Sequence, residues 1–110
     1  MPHEVLKRSR FLADYRAIIL HISEQNPLAA DRFCDAVEAA LELLALQPEL
    51  GPKAGFAKAA DVRFWPLRRY PNFLIFSRVT GGSVIMLRLL DGRRNLPPLL
   101  PKEKAAHATP

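Results

Sequence analysis

Apolar residues along this chain recur first at helical spacing and later at strand spacing. Phe11, Tyr15, Ile18, Ile19 and Ile22 fall on one face of a helix expected over about residues 9–25, with Ser9 as its N-cap. Asn26-Pro27 reads as a break and an immediate restart. Asn can cap, and Pro suits the first helical position, where its missing N–H would have no intrahelical partner. Ala30, Phe33, Val37, Leu41 and Leu44 then form a second stripe, with Asp31, Asp35, Glu38 and Glu42 opposite. This predicts a helix over 27–46 that ends before Pro48. So short a break requires the two helices to fold back as an antiparallel hairpin.

Beyond a turn at Pro48–Pro52 and an irregular loop to Ala60, the period becomes two. In "DVRFWPL" (61–67), Val62 and Phe64 alternate with Arg63, Trp65 and Leu67. "NFLIFSRV" (72–79) is apolar on both faces for most of its length, as a central strand is. "TGG" (80–82) is a hairpin signal, and "SVIMLRLL" (83–90) is a third strand whose one charge is Arg88. Residues 3–8, short and mixed, suit an edge strand. The fold class is therefore α+β: an N-terminal edge strand, then an antiparallel two-helix hairpin packed on an antiparallel sheet, in the order β-α-α-β-β-β. Residues 1–96 are expected to form one domain, and 97–110 a Pro/Ala-rich, flexible tail.

Composition changes this picture in two respects. The 110 residues, nearly half of them hydrophobic, suffice for one core. No apolar run approaches the roughly 20 residues of a membrane helix, and the first residues lack a signal-peptide core, so a cytoplasmic protein with no membrane partner is expected. The single cysteine, Cys34, sits among helix-periodic residues and offers neither an internal disulfide nor a metal constellation, so no metal and no cofactor is expected. The net charge of +5 is unevenly spread. Residues 1–50 carry five Lys/Arg against eight Asp/Glu, whereas residues 51–110 carry eleven against three. Such asymmetry points to a basic face meeting an acidic partner, either nucleic acid or an acidic protein segment.

Several stretches together are similar to the ParE/RelE superfamily of toxins from type II toxin–antitoxin systems. "ADYRAIILHISEQNPLAADRFCDAVEAALELLALQPELG" resembles its helix hairpin, with the Asn-Pro break and the Pro-x-x-Gly exit. "VRFWPL" resembles its arginine-bearing strand, "YPNFLIFSRV" its tyrosine-led central strand, and "VIMLRLLDGRRNL" its last strand and exit. The likeness spans about residues 3–96. At the exit, Arg94 occupies the family's arginine position. Asp91 stands where many relatives have histidine, and Asn95 where they have an acid.

The resemblance implies one of two activities. RelE-like members cut mRNA on the ribosome, whereas ParE-like members bind DNA gyrase and block it. Cleavage by 2′-OH attack needs a base, an acid and a cation for the phosphorane. Arg63, matching the family's strand arginine, is the candidate cation, with Lys53, Lys58 and Arg88 completing a ribonuclease set. Arg63, Arg78 and Arg88 could share one sheet face. The exit histidine is missing, no tyrosine follows Tyr70, and His107 lies in the tail. Asp91 beside Arg93 and Arg94 should titrate low and serve poorly as a base.

Structural readings stand beside these. Asp91-Gly92 suits a turn, Arg63 could pair with Glu38 or Glu42, and Tyr70 is expected to pack with its hydroxyl bonded. The ParE-like branch is favoured: a plasmid-stabilisation toxin that acts by binding. Arg63, Arg68, Arg69, Arg78, Arg88, Arg93 and Arg94 are the candidate contacts with the target or with a cognate antitoxin. The antitoxin's acidic segment would fold on binding. DNA gyrase is the expected target. The alternatives are a ribonuclease acting on ribosome and mRNA, or a non-toxic orphan relative.

Overall fold

A computed structural model of the chain describes residues 1–94. The elements run β1 (Glu4–Lys7), α1 (Ser9–Ser23), α2 (Pro27–Leu46), β2 (Arg63–Leu67), β3 (Tyr70–Thr80) and β4 (Ser83–Asp91). The expected order is observed. The flexible tail over 97–110, and the readings of Asn95 and His107, lie outside the described residues.

The strands form one sheet in the order β1-β4-β3-β2. β2, β3 and β4 are an antiparallel meander, as expected. β1 adds a feature that the pattern did not show: it pairs with β4 in parallel, Glu4 beside Ser83 through Lys7 beside Met86. The sheet is therefore mixed. A strand that leads into two helices and a loop before its neighbour is reached has the long connection that parallel pairing requires.

Each face of the sheet has its own cover. On one, Leu67, Ile75, Val84, Met86 and Leu89 meet Phe11, Phe33, Val37, Leu41 and Leu44 from the helices. Both helical stripes point inward here, and each fully buried large side chain contributes about 1.5–3 kcal/mol. Phe33 packs edge-on against Tyr70 and Phe73, tying the start of α2 to the start of β3. On the other face, Phe76 and Leu90 are covered by Phe56, Ala59 and Val62 from the loop before β2. That loop, irregular in its sequence pattern, is half of a second small core.

Local chemistry sets the element ends. The Asn26 side chain accepts from the N–H groups of Leu28 and Ala29, with Pro27 opening α2 as expected. α1 differs from expectation: Arg8 is its N-cap, Ser9 is already helical, and the Arg8 side chain makes no capping bond. Arg8 instead remains extended and donates its N–H to the Met86 carbonyl, so strand pairing runs directly into the helix. The helices are tied by the Tyr15 hydroxyl, which donates to Glu38 (3.1 Å) and to the Cys34 carbonyl (3.5 Å). Burial, then these neighbours, push the Tyr15 pKa well above its ordinary value. Gly51 is buried, and a Cβ there would run into the Phe64 carbonyl.

Candidate functional site

The three strand arginines do not share a face. Arg63 lies opposite Ser77 on β3, so the pleat turns the next residue, Arg78, to the other side. Arg63 donates to the Gly51 carbonyl at 2.8 Å and not to Glu38 or Glu42. It fastens the turn after α2 to β2. Arg78 forms a two-point ion pair with Asp61, at 2.7 and 3.3 Å. Arg88 reaches Asp14 on α1, again with two bonds, at 2.8 and 3.0 Å. Both partners of that pair are about 15% exposed.

Asp14 also accepts the Leu89 N–H at 3.0 Å. β1 pairs only as far as Met86, and a bulge between Phe76 and Ser77 interrupts the β3–β4 register at this level. The carboxylate therefore supplies the acceptor that a longer β1 would have provided. Asp14 was not among the residues singled out from the sequence, although a signal was present. It lies three residues after Phe11 and four before Ile18, on the apolar stripe, where a charge needs a partner.

Of the ribonuclease set, Lys53 and Arg63 are bridge partners at the start of β2. Lys58 is exposed on the covering loop, and Arg88 is two strands away, held by α1. The arrangement brings two of these four cations together. Tyr70 packs as expected, but its hydroxyl has no bonding partner among the described residues.

A different group of arginines gathers at one end of the sheet. Leu67 pairs with Tyr70, so Arg68 and Arg69 form the two-residue turn between β2 and β3. β4 leaves the sheet at the same end: Phe73 lies opposite Asp91, and the Gly92 N–H donates to the Asn72 carbonyl. Only three residues of strand, roughly 10 Å, separate the two turns along β3. All four arginines, Arg68, Arg69, Arg93 and Arg94, are exposed.

This end is built firmly. Asp91 accepts the Arg93 N–H at 2.9 Å and holds the Arg93 guanidinium at 3.0 and 2.7 Å, while the Arg94 N–H returns to the Asp91 carbonyl. The aspartate closes its own turn and aims the arginine. The hydrogen bonds from Arg93 hold the Asp91 carboxyl below the usual range, so it is ionised at neutral pH and a poor base, as expected. Gly92 is closely packed: a Cβ would press on the Leu74 side chain and the Asn72 carbonyl. Arg69 holds φ at +73°, a left-handed conformation that glycine takes more easily. Among the described residues, Arg68, Arg69 and Arg94 have no carboxylate partner. No group of three or more His, Cys, Asp or Glu gathers there as a metal site. No described helix is long and apolar enough to cross a membrane.

Comparison with known proteins gives two findings. Residues 5–96 match the family described as ParE toxin of type II toxin-antitoxin system, parDE. Among solved structures, the chain is similar in fold to one described as "Chromosomal ParDE TA system from P. aeruginosa". That likeness has a TM-score of 0.67 and 21% identity, over 79% of this chain and 92% of that one. Among curated proteins there is no match.

Proposed function

This chain belongs to the ParE toxin family of type II toxin–antitoxin systems, and we propose that it acts by binding and inhibiting a target, DNA gyrase, with no catalytic side chain. One observation carries this reading. The arginines inside the sheet are engaged by other parts of the fold, while on the two turns at its end Arg68, Arg69 and Arg94 are exposed with no carboxylate partner among the described residues, and Arg93 is exposed and held by Asp91 of its own turn. A cleaving enzyme needs a base and an acid near its cation. Here the cation at the family's strand position is bonded to a backbone carbonyl, and the exit residue is an ionised aspartate.

The cognate antitoxin would neutralise the toxin by covering this end. An acidic segment, disordered alone, would order against Arg68, Arg69, Arg93 and Arg94, where charge-assisted bonds to carboxylates form most strongly. Arg63, Arg78 and Arg88 then support the surface and do not contact the partner. Inhibition and neutralisation both take place in the cytoplasm.

A second reading has one observation in its favour: Lys53 and Arg63 are adjacent at the start of β2. It is the RelE-type ribonuclease acting on ribosome-bound mRNA. Induced expression of the chain, with plasmid supercoiling and mRNA integrity followed in the same cells, separates the readings. Relaxed or broken DNA with intact mRNA is the expected result. Cut mRNA with normal supercoiling would overturn it in favour of the ribonuclease. Growth without arrest would leave the chain as a non-toxic relative.

A further inference from the structure

The outer edge of β1 is unpaired within the described sheet. Glu4 donates its N–H to the Gly82 carbonyl, and Arg8 donates to Met86. Alternation along the strand then turns the N–H and C=O groups of Val5 and Lys7 outward, away from β4. The preceding outward group, the His3 N–H, is taken by the Ala45 carbonyl at the end of α2. A short row of backbone donors and acceptors remains, centred on Leu6, which is 41% exposed.

We propose that this edge pairs with the same edge of a second copy of the chain. Only outward residues can exchange backbone bonds, so Val5 and Lys7 of one copy must face their counterparts of the other. Placing Val5 opposite Lys7 in an antiparallel pair puts Leu6 opposite Leu6 on the two-fold axis. It also puts Glu4 opposite Arg8 at both ends. The four-residue strand and its extended successor are thus self-complementary: four backbone hydrogen bonds, an apolar contact at the axis and two opposite-charge pairs. Glu4, Leu6 and Arg8 share one face, opposite Val5, which packs on the helix-side core. The Ser83 hydroxyl donates to Glu4 at 3.3 Å and holds that carboxylate on its face. The result is a continuous eight-stranded sheet with both arginine-bearing ends kept away from the axis.

Cysteine cross-linking of the full chain tests the register, in a Cys34→Ser background. Leu6→Cys places its thiols on the axis, in a directly opposed pair with Cα atoms about 4.5 Å apart, within the span of a disulfide. Arg8→Cys lies on the same face but about 13 Å from its symmetry mate. Mild oxidation should link Leu6→Cys, at twice the 12.4 kDa of one chain, at least about tenfold faster than Arg8→Cys. Sedimentation of the unsubstituted chain should show a concentration-dependent dimer that Glu4→Arg disperses and Glu4→Arg with Arg8→Glu restores. Equal cross-linking of the two cysteines would overturn the proposal. So would a monomer at all concentrations, including one in which residues 95–110 of the same chain protect the Val5 and Lys7 amides from hydrogen exchange.

Discussion

Two sets of arginines in this sheet have opposite surroundings. Arg63, Arg78 and Arg88 lie within strands, and each is met by an acceptor from another part of the chain: the turn after α2, the covering loop, and α1. Arg68, Arg69, Arg93 and Arg94 lie on the turns that end the strands, and the one carboxylate among them, Asp91, belongs to the same turn as the arginine it holds. A cation bonded across elements holds a fold together. A cation held out from a rigid turn is available to something else. Arg63 on the strand and Arg94 at the exit therefore sit in opposite surroundings, although both are arginines.

The contrast can be tested by substitution. The largest effect is expected at Asp14. Asp14→Ala leaves the largely buried Arg88 guanidinium without its carboxylate and the Leu89 N–H without an acceptor, and should cost about 3 kcal/mol in urea denaturation. Asp14→Asn keeps one acceptor and should cost less. Arg63→Ala comes next, at about 1–2 kcal/mol, the loss of a charged donor to a half-buried carbonyl. Faster hydrogen exchange at Phe64, whose N–H bonds to Pro52, should accompany it. Either substitution leaving stability unchanged would break the comparison from the structural side.

The turn arginines should behave in the reverse way. Arg69→Gly relieves the left-handed backbone and should raise stability by about 0.5–1 kcal/mol while weakening antitoxin binding. Arg68→Ala with Arg94→Ala should change stability by less than about 0.5 kcal/mol. The same double variant should lose roughly tenfold in affinity for an acidic antitoxin segment, most visibly at low salt. Unchanged affinity would break the comparison from the binding side. The smallest effect is on pH dependence. Asp91 and Asp61 are both held low, chiefly by hydrogen bonds from Arg93 and Arg78. A depressed carboxyl contributes stability above its unfolded pKa of about 3.9 and loses it as pH falls through the folded value. Stability should stay level from pH 7 to about 5, decline below about 4, and decline less in Asp91→Asn.

The helix hairpin was legible because its signals are local. Asn26-Pro27 fixes the break, and the two stripes of apolar residues fix which faces meet, so α2 runs over the expected residues. The hairpin signal at 80–82 and the central position of β3 were equally readable from short-range pattern, whereas the tight turn at Arg68-Arg69 was not, because β3 begins at Tyr70, ahead of the apolar run that starts at Asn72. What escaped was set by contacts between distant segments. Parallel pairing of β1 depends on residues near 84, and nothing in "EVLK" announces direction. The loop around Phe56 looks irregular because its three apolar contacts form a patch over the sheet and not a periodic face. At the candidate site, the arginines were visible as a set, but their division was not. Which guanidinium finds a carboxylate depends on the bulge in β4's pairing and on where Asp14 and Asp61 arrive. Only the closed turn at Asp91 was within reach of local reasoning.

The parallel union of β1 with β4 also orders events in time. Glu4 meets Ser83 across 79 positions of sequence, so the sheet's first strand is made long before β4, its neighbour among the described strands. Closing so large a loop is slow relative to forming the helix hairpin, which is local. A chain still emerging from the ribosome therefore has its hairpin early but lacks a completed sheet until β4 has appeared. Asp14, Arg88 and Leu89 can lock only after that moment. Synthesis itself thus sets an interval in which the polypeptide exists and its arginine-bearing end does not.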